Sequence, residues 1–317
     1  MSLQLEQVIS TEINEILNRT PLDVEMLHLI KSALIAQSKT SELFPWANLT
    51  LLSCECVGGE PEDALPGAIA MELFALAADI LDDIQDQDND DLLWRKLSNA
   101  NALNLAICLL LLSYEAAANI SVNGLFREVS TILNRMGISA INGQFQEFQY
   151  ERREQITLEQ YFELVKRKSG SLTACACKIG ATLGGGSEAL VFQLEQFGVN
   201  LGIMSQIRND LNDFLDFETK KDFLNHTKTL PYVYLLSMLQ RQPERFQKLT
   251  QLPGQELNRL GNEEREYLKQ IAIEEGVAHY CKVMYEIFRR KAMEIMMAIP
   301  VLEESKEKMI KLVKESV

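Results

Sequence analysis

Apolar residues recur at helical spacing along nearly the whole chain, and the strict alternation of a half-buried strand is scarce. This periodicity predicts helices over about 4–18, 21–37, 46–57, 65–87, 100–119, 124–137, 138–152, 158–168, 171–184, 187–217, 228–240, 263–275, 277–298 and 302–315. Breaks fall at Gly58-Gly59-Glu60-Pro61, at Gly184-Gly185-Gly186 and near Pro253-Gly254, where glycine and proline interrupt a helix. No low-complexity linker divides the chain, and no repeat period is evident. The predicted fold class is all-α, a single domain over residues 1–317 built as one large antiparallel helix bundle.

One stretch breaks the apolar rule. Asp79, Asp82, Asp83 and Asp86 stand at offsets i, i+3, i+4 and i+7 inside an otherwise buried helical pattern. That stripe normally carries Leu or Ile towards a core. Side chains three and four apart on a helix lie about 5–6 Å from one another. Like charges at that range repel, and burying them unpaired costs more. A positive partner is predicted, and oxygen-only ligands favour Mg2+ over Zn2+. Gln206, Asn209, Asp210 and Asp213 repeat the same offsets near the end of the helix over 187–217. Helix C-termini already carry partial negative charge, so carboxylates placed there cost stability and point to function. Two facing stripes of this kind in a bundle can clamp several Mg2+ ions around a diphosphate. A single acidic run is more commonly solvated surface, and Asp86 to Asp91 alone reads as a loop. The pairing of two stripes on apolar helices is what favours ligation.

Composition narrows the classes. With 317 residues and 47% hydrophobic content, the chain can bury a large core. A net charge of −14 without a basic tract disfavours nucleic acid and anionic membrane surfaces. An anionic substrate must then be held by a few placed cations and by metals. The six cysteines (Cys54, Cys56, Cys108, Cys175, Cys177, Cys281) lie mostly in apolar helical contexts, and the three histidines (His28, His226, His279) are remote from them in sequence. This argues against a zinc site and predicts core thiols in a reducing cytoplasm. Met1 to Thr20 has acidic residues and no long apolar core, so no signal peptide is predicted. The apolar run Leu105 to Leu112 falls short of the roughly 20 residues that span a bilayer, so no transmembrane segment is predicted.

Several short motifs share an order that resembles the trans-isoprenyl diphosphate synthases, the polyprenyl synthetase superfamily. Asp82-Asp83-Ile84-Gln85-Asp86 looks like the first aspartate-rich motif. A longer form of that motif fits too, so Asp86 and Asp88 compete as its last ligand. Glu72 stands where the family has a glutamate, Gly143-Gln144 resembles its Gly-Gln pair, and Lys168-Ser169-Gly170 resembles its Lys-Thr-Gly. Gln206 to Asp213 looks like the second motif, and Asp222 with Lys228-Thr229-Leu230-Pro231 matches the segment after it. The resemblance covers about residues 38 to 235. It implies the isoprenoid-synthase bundle, about two to three Mg2+ ions held by Asp82, Asp83, Asp86, Asp88, Asn209, Asp210 and Asp213, and commonly a homodimer.

Departures bear on the acceptor. The second motif opens with Asn209 in place of an aspartate. Among the cations that hold isopentenyl diphosphate in the family, Lys39 is kept without its following arginine, the histidine position is Ala75, and the paired arginines are Leu93-Trp94, followed by Arg95 and Lys96. A lysine of the later pattern is Thr227, with Lys228 beside it. Loss of cations should weaken a second diphosphate site, because charge-assisted bonds are the strong ones. This pattern resembles the ComQ-type subgroup, which transfers a prenyl group to a tryptophan of a peptide pheromone precursor. A chain-elongating synthase using isopentenyl diphosphate stays open, as does a non-catalytic partner subunit of a prenyl synthase. The steps that mark a class I terpene cyclase fall here on Asp213 and Phe217, which argues against that class.

The resemblance implies ionisation of an allylic prenyl diphosphate. Lys168, Gln206 and Gln144 are the candidate catalytic groups, and Lys39, Arg95, Lys96, Lys168, Lys220, Lys221 and Lys228 the candidate diphosphate contacts. Stabilising the departing anion is electrostatic catalysis, and the cation left behind needs a dry apolar cavity. Ala77 and Ala78, one turn before the aspartates, leave room for a farnesyl-length tail or longer. Phe145 and Phe148 are expected in the core, and Trp94 as a surface-anchoring aromatic.

Overall fold

The structure, a computed structural model, describes residues 3–38, 43–87, 89–121, 124–216, 227–250 and 262–315. Its helices are α1 (Leu3–Arg19), α2 (Val24–Ser38), α3 (Pro45–Cys56), α4 (Pro61–Asp86), α5 (Asn99–Ala117), α6 (Leu125–Glu151), α7 (Leu158–Val165), α8 (Ser171–Leu183), α9 (Glu188–Leu215), α10 (Leu230–Leu239), α11 (Pro243–Thr250), α12 (Asn262–Glu274), α13 (Val277–Ala298) and α14 (Glu303–Glu315). Among the described residues there is no strand, so the all-α expectation holds. Two compact units emerge. One comprises Met1–Arg135, Thr173–Glu195 and Ile299–Met309; the other comprises Met136–Leu172, Gln196–Ala298 and Ile310–Val317.

In the first unit α4 is the central helix, packed by α3 and α5. Its face from Gly67 to Ala77 is continuously buried. Small residues allow close packing in this unit. A Cβ on Gly180 would lie 1.9 Å from the Thr50 carbonyl oxygen and 2.8 Å from Ser53 Cβ, so α8 rests on the backbone of α3 at that glycine. Gly180→Ala should cost about 2 kcal/mol or more through overpacking, measured as a lower urea midpoint; an unchanged midpoint would deny the close approach. In the second unit α10 packs on α7, α11 and α13, and α12 packs on α13.

Local chemistry explains the boundaries. Ser98 caps α5 by accepting from the Asn101 N–H, and Thr157 with Gln160 forms a reciprocal capping box on α7. The predicted break between 137 and 138 is absent, because α6 runs through the buried Gly137. A lone helical glycine costs only about 1 kcal/mol, which packing repays. The predicted helix over 158–168 ends earlier, at Val165, and passes through a π-helical turn, Lys166–Gly170, into α8.

Among the described residues, two helices, α4 and α5, are long and apolar enough to cross a membrane by length and composition alone. In α4 the apolar window is 72% buried inside the protein, which makes it a core helix. On α5, 44% is buried, and Leu103, Ile107 and Leu111 form an exposed stripe at i, i+4 and i+8.

Candidate active site

The first acidic stripe emerges from the core of its unit towards the C-terminus of α4. At its base, Glu72 is fully buried and accepts the Ala47 N–H through Oε2 at 2.8 Å. Its Oε1 has no hydrogen-bond partner, and burial pushes the carboxyl up to about 8. Two turns on, Asp79 is half-buried. Desolvation first, and then the charges of Asp82 and Asp83, push it up to about 7. Asp82 is half-buried and Asp86 exposed. Asp83 turns inward: only 8% exposed, it accepts the Trp94 indole N–H at 2.7 Å and the Asn89 amide at 2.6 Å. Gln87 and Asn89 have positive φ, 55° and 53°, so the chain reverses sharply after α4 and brings Trp94 back onto it. Trp94 is thus a buried donor (3% exposed) and not the surface aromatic expected from the sequence. Arg95 pairs with Asp90 at 3.1 Å, and Lys96 is exposed. Ala77 is fully buried and Ala78 half-buried.

The second unit gathers the other motifs. The Lys168 ammonium lies 2.6 Å from a Glu147 oxygen. A Cβ on Gly143 would sit 3.2 Å from the Lys168 backbone nitrogen, so glycine there lets α6 approach the π-helical turn. π-helical turns often mark functional sites. Ser169 donates to Gln206 Oε1 at 2.7 Å, and Gln206 Nε2 donates to Asp210 Oδ1 at 2.8 Å. Asp210 Oδ2 accepts from the Tyr161 hydroxyl at 2.6 Å and from the Leu230 N–H at 2.7 Å. Burial, with Asp210 next, pushes the Tyr161 hydroxyl far above its usual range, so it stays a donor. Lys228 is buried, with its ammonium 3.4 Å from the Glu154 carbonyl oxygen and 5.0 Å from the Tyr232 ring centroid. Desolvation lowers its pKa, against the pull of Glu151 and Glu154. Asn209 is exposed and Asp213 half-buried.

The structure therefore brings together Lys168, Gln206, Asp210 and Lys228, and Gln144 sits half-buried on α6 beside that group's glycine. Lys39, Asp88, Lys220 and Lys221 lie outside the described residues. Among those described, no three Asp, Glu, His or Cys side chains already converge as a metal cage. Phe145 is 64% exposed, contrary to the core position expected, because its face of α6 points outward. Sequence reasoning missed Glu147 and Tyr161. Glu147 was within reach, one turn after Gln144; Tyr161 carries no local signal, being 49 residues from its partner.

All six cysteines are free, with five of them buried. Burial pushes the thiols up, Cys54, Cys56, Cys177 and Cys281 to about 12, so they are poor nucleophiles.

Residues 47–275 match the polyprenyl synthetase family. The chain belongs to that family. Its class of chemistry is prenyl transfer. The tryptophan prenyltransferase ComQ of Bacillus spizizenii is 30% identical over 192 residues, 61% of this chain and 66% of that protein. ComQ of Bacillus subtilis (strain 168) is 27% identical over 270 residues, 84% of this chain and 86% of its own. The crystal structure of a polyprenyl synthetase from Streptomyces coelicolor A3(2) superposes with a TM-score of 0.85 at 25% identity, covering 99% of this chain and 98% of that one. This polyprenyl synthetase therefore has the all-α isoprenoid-synthase fold expected from its sequence.

Proposed function

We propose that this polyprenyl synthetase is a Mg2+-dependent enzyme that ionises an allylic prenyl diphosphate and passes the prenyl group to a tryptophan side chain of a peptide. Both compact units are read as serving this one activity. The observation that carries the reading is the α4 stripe. Asp79 is held near 7 by burial and by its charged neighbours, while Asp82 and Asp86 offer oxygen ligands one turn apart. A divalent cation would offset that concentration of negative charge, and an oxygen-only donor set fits Mg2+. Asp82 and Asp86 would be its ligands on α4; Asn209 and Asp213 offer a separate set of oxygen ligands on α9. Bound there, Mg2+ supplies charge neutralisation for departing pyrophosphate.

The chain's own groups supply the rest. Lys168 and Lys228 offer fixed positive charge to the diphosphate oxygens. The carbon–oxygen bond breaks, the electron pair leaves with pyrophosphate, and the acceptor attacks the allylic carbon and then loses a proton. Trp94 supports the peptide acceptor: it occupies the place of a family arginine, yet its indole is buried and bound to Asp83, so no cation stands there for a second diphosphate. Similarity to ComQ over most of the chain points the same way. Arg95 and Lys96 keep the chain-elongating alternative in view. A homodimer fits the exposed apolar stripe on α5, and the absence of any cysteine pairing among the described residues fits a cytoplasmic setting.

Labelled farnesyl diphosphate and Mg2+, supplied with isopentenyl diphosphate or with a tryptophan-containing peptide, test the proposal. Label in the peptide is expected; a longer prenyl diphosphate would establish chain elongation instead. Release of no pyrophosphate under either condition would leave the non-catalytic subunit. Ala78→Phe should shorten the accepted tail by about one isoprene unit, since a bulky side chain closes an apolar pocket sharply; unchanged chain length would remove Ala78 from the pocket.

A further inference from the structure

Asp210 is the one member of the second acidic stripe that is almost fully buried, at 4% exposure. Its two oxygens accept three hydrogen bonds, from Gln206, Tyr161 and the Leu230 N–H. A carboxylate has about four acceptor positions, so little is left for a metal ion. Those bonds run to three different elements. Tyr161 lies on α7, and Gln206 on α9 passes the connection to Ser169 in the π-helical turn. Leu230 opens α10, whose N-cap Thr229 makes no side-chain cap and whose next residue, Pro231, has no N–H to offer. Asp210 is therefore the remote cap of α10. Lys168 is the neighbour of Ser169, and Lys228 stands two residues before Leu230.

We propose that Asp210 is a positioning residue, the hub of a Ser169–Gln206–Asp210–Tyr161 network that holds Lys168 and Lys228 in register for a diphosphate, and not a ligand of the catalytic metal. The kinetic consequence rests on the diphosphate reading above; the structural consequence does not. A group that holds two cations in place acts on diphosphate binding in ground and transition states alike, so its loss raises KM more than it lowers kcat. Loss of a metal ligand shifts the Mg2+ requirement.

The test uses the full chain and the variants Asp210→Ala, Asp210→Asn, Tyr161→Phe and, as metal-ligand control, Asp213→Ala. Amide exchange is followed over 230–239, and pyrophosphate release is measured against Mg2+ and against farnesyl diphosphate. Asp210→Ala should speed exchange about tenfold and raise KM about tenfold, the size of one charge-assisted bond. Asp210→Asn keeps an acceptor oxygen and should restore most of both. Tyr161→Phe, which keeps the carboxylate, should raise KM several-fold with kcat and the Mg2+ midpoint within about twofold. Asp213→Ala alone should move the Mg2+ midpoint about tenfold. A tenfold Mg2+ shift in Asp210→Asn, or exchange in Asp210→Ala equal to the parent, would overturn the proposal. Should Asp210→Ala fail to fold, Tyr161→Phe and Asp210→Asn decide. A parent protein that releases no pyrophosphate defeats the functional reading, and the exchange arm still decides the hub.

Discussion

Replacing Asp82 and Asp86 together by asparagine should cut pyrophosphate release roughly a thousandfold and leave the fold slightly more stable. Neutralising a departing pyrophosphate is worth several kcal/mol, and about 4 kcal/mol is a thousandfold in rate. In the absence of metal the same carboxylates repel one another. Asp79 already resists ionisation up to about 7, burial first and the Asp82 and Asp83 charges next. Removing two charges at i, i+3 and i+4 spacings should therefore raise stability by roughly 0.5–1 kcal/mol. Asp83→Asn is the contrasting control. It removes one charge from the same stripe, but its oxygens serve Trp94 and Asn89. Placing an amide N–H against one of those donors should lower stability by about 2 kcal/mol while the Mg2+ midpoint stays put. Activity of the double variant within tenfold of the parent would sink the metal assignment.

That contrast shows what the sequence could and could not tell. The spacing of Asp79, Asp82, Asp83 and Asp86 places all four on one helical side, and the apolar residues between them bury α4, so stripe and core helix were both legible. Which carboxylate turns inward was not. The donors to Asp83 come from a reversal of the chain at Gln87 and Asn89, and those to Asp210 from α7 and α10. Offsets along one helix carry no information about a partner 49 residues away. Helix α11 went unread for a related reason. Its sequence, Pro243 to Thr250, is polar and short, and buries Leu249 alone, so periodicity gives it little signal. Phe145 was placed in the core by hydrophobicity, although it shares an exposed face of α6 with Ile138 and Ile141. Apolar character predicts that a surface is covered by something, and the something need not be the same chain.

Glu72→Gln should flatten the pH dependence of stability. The Glu72 carboxyl is fully buried and raised from 4.5 to about 8, chiefly by desolvation. Below 4.5 both folded and unfolded chains carry its proton, and its contribution to stability is fully present. As pH rises through the window from 4.5 to 8, the unfolded chain gives up that proton while the folded chain keeps it. Stability falls across that window by on the order of 4 kcal/mol, then levels off above 8, where both states are ionised. Glutamine retains an acceptor for the Ala47 N–H and cannot ionise. The variant should match the parent at pH 5 to within about 1 kcal/mol and exceed it at pH 8 by roughly 3 kcal/mol, read from urea unfolding at the two pH values. Asp79 and Glu151, also raised, slope in the same direction in both proteins, so the difference isolates Glu72. Equal slopes in parent and variant would mean that Glu72 ionises normally when buried. The reason for a carboxyl at so costly a place lies in α3. Its N-cap, Phe44, adopts a left-handed conformation at φ 56° and offers no side-chain acceptor. An acceptor must then come from elsewhere, and α4 supplies it from the same face that, two turns later, becomes the acidic stripe.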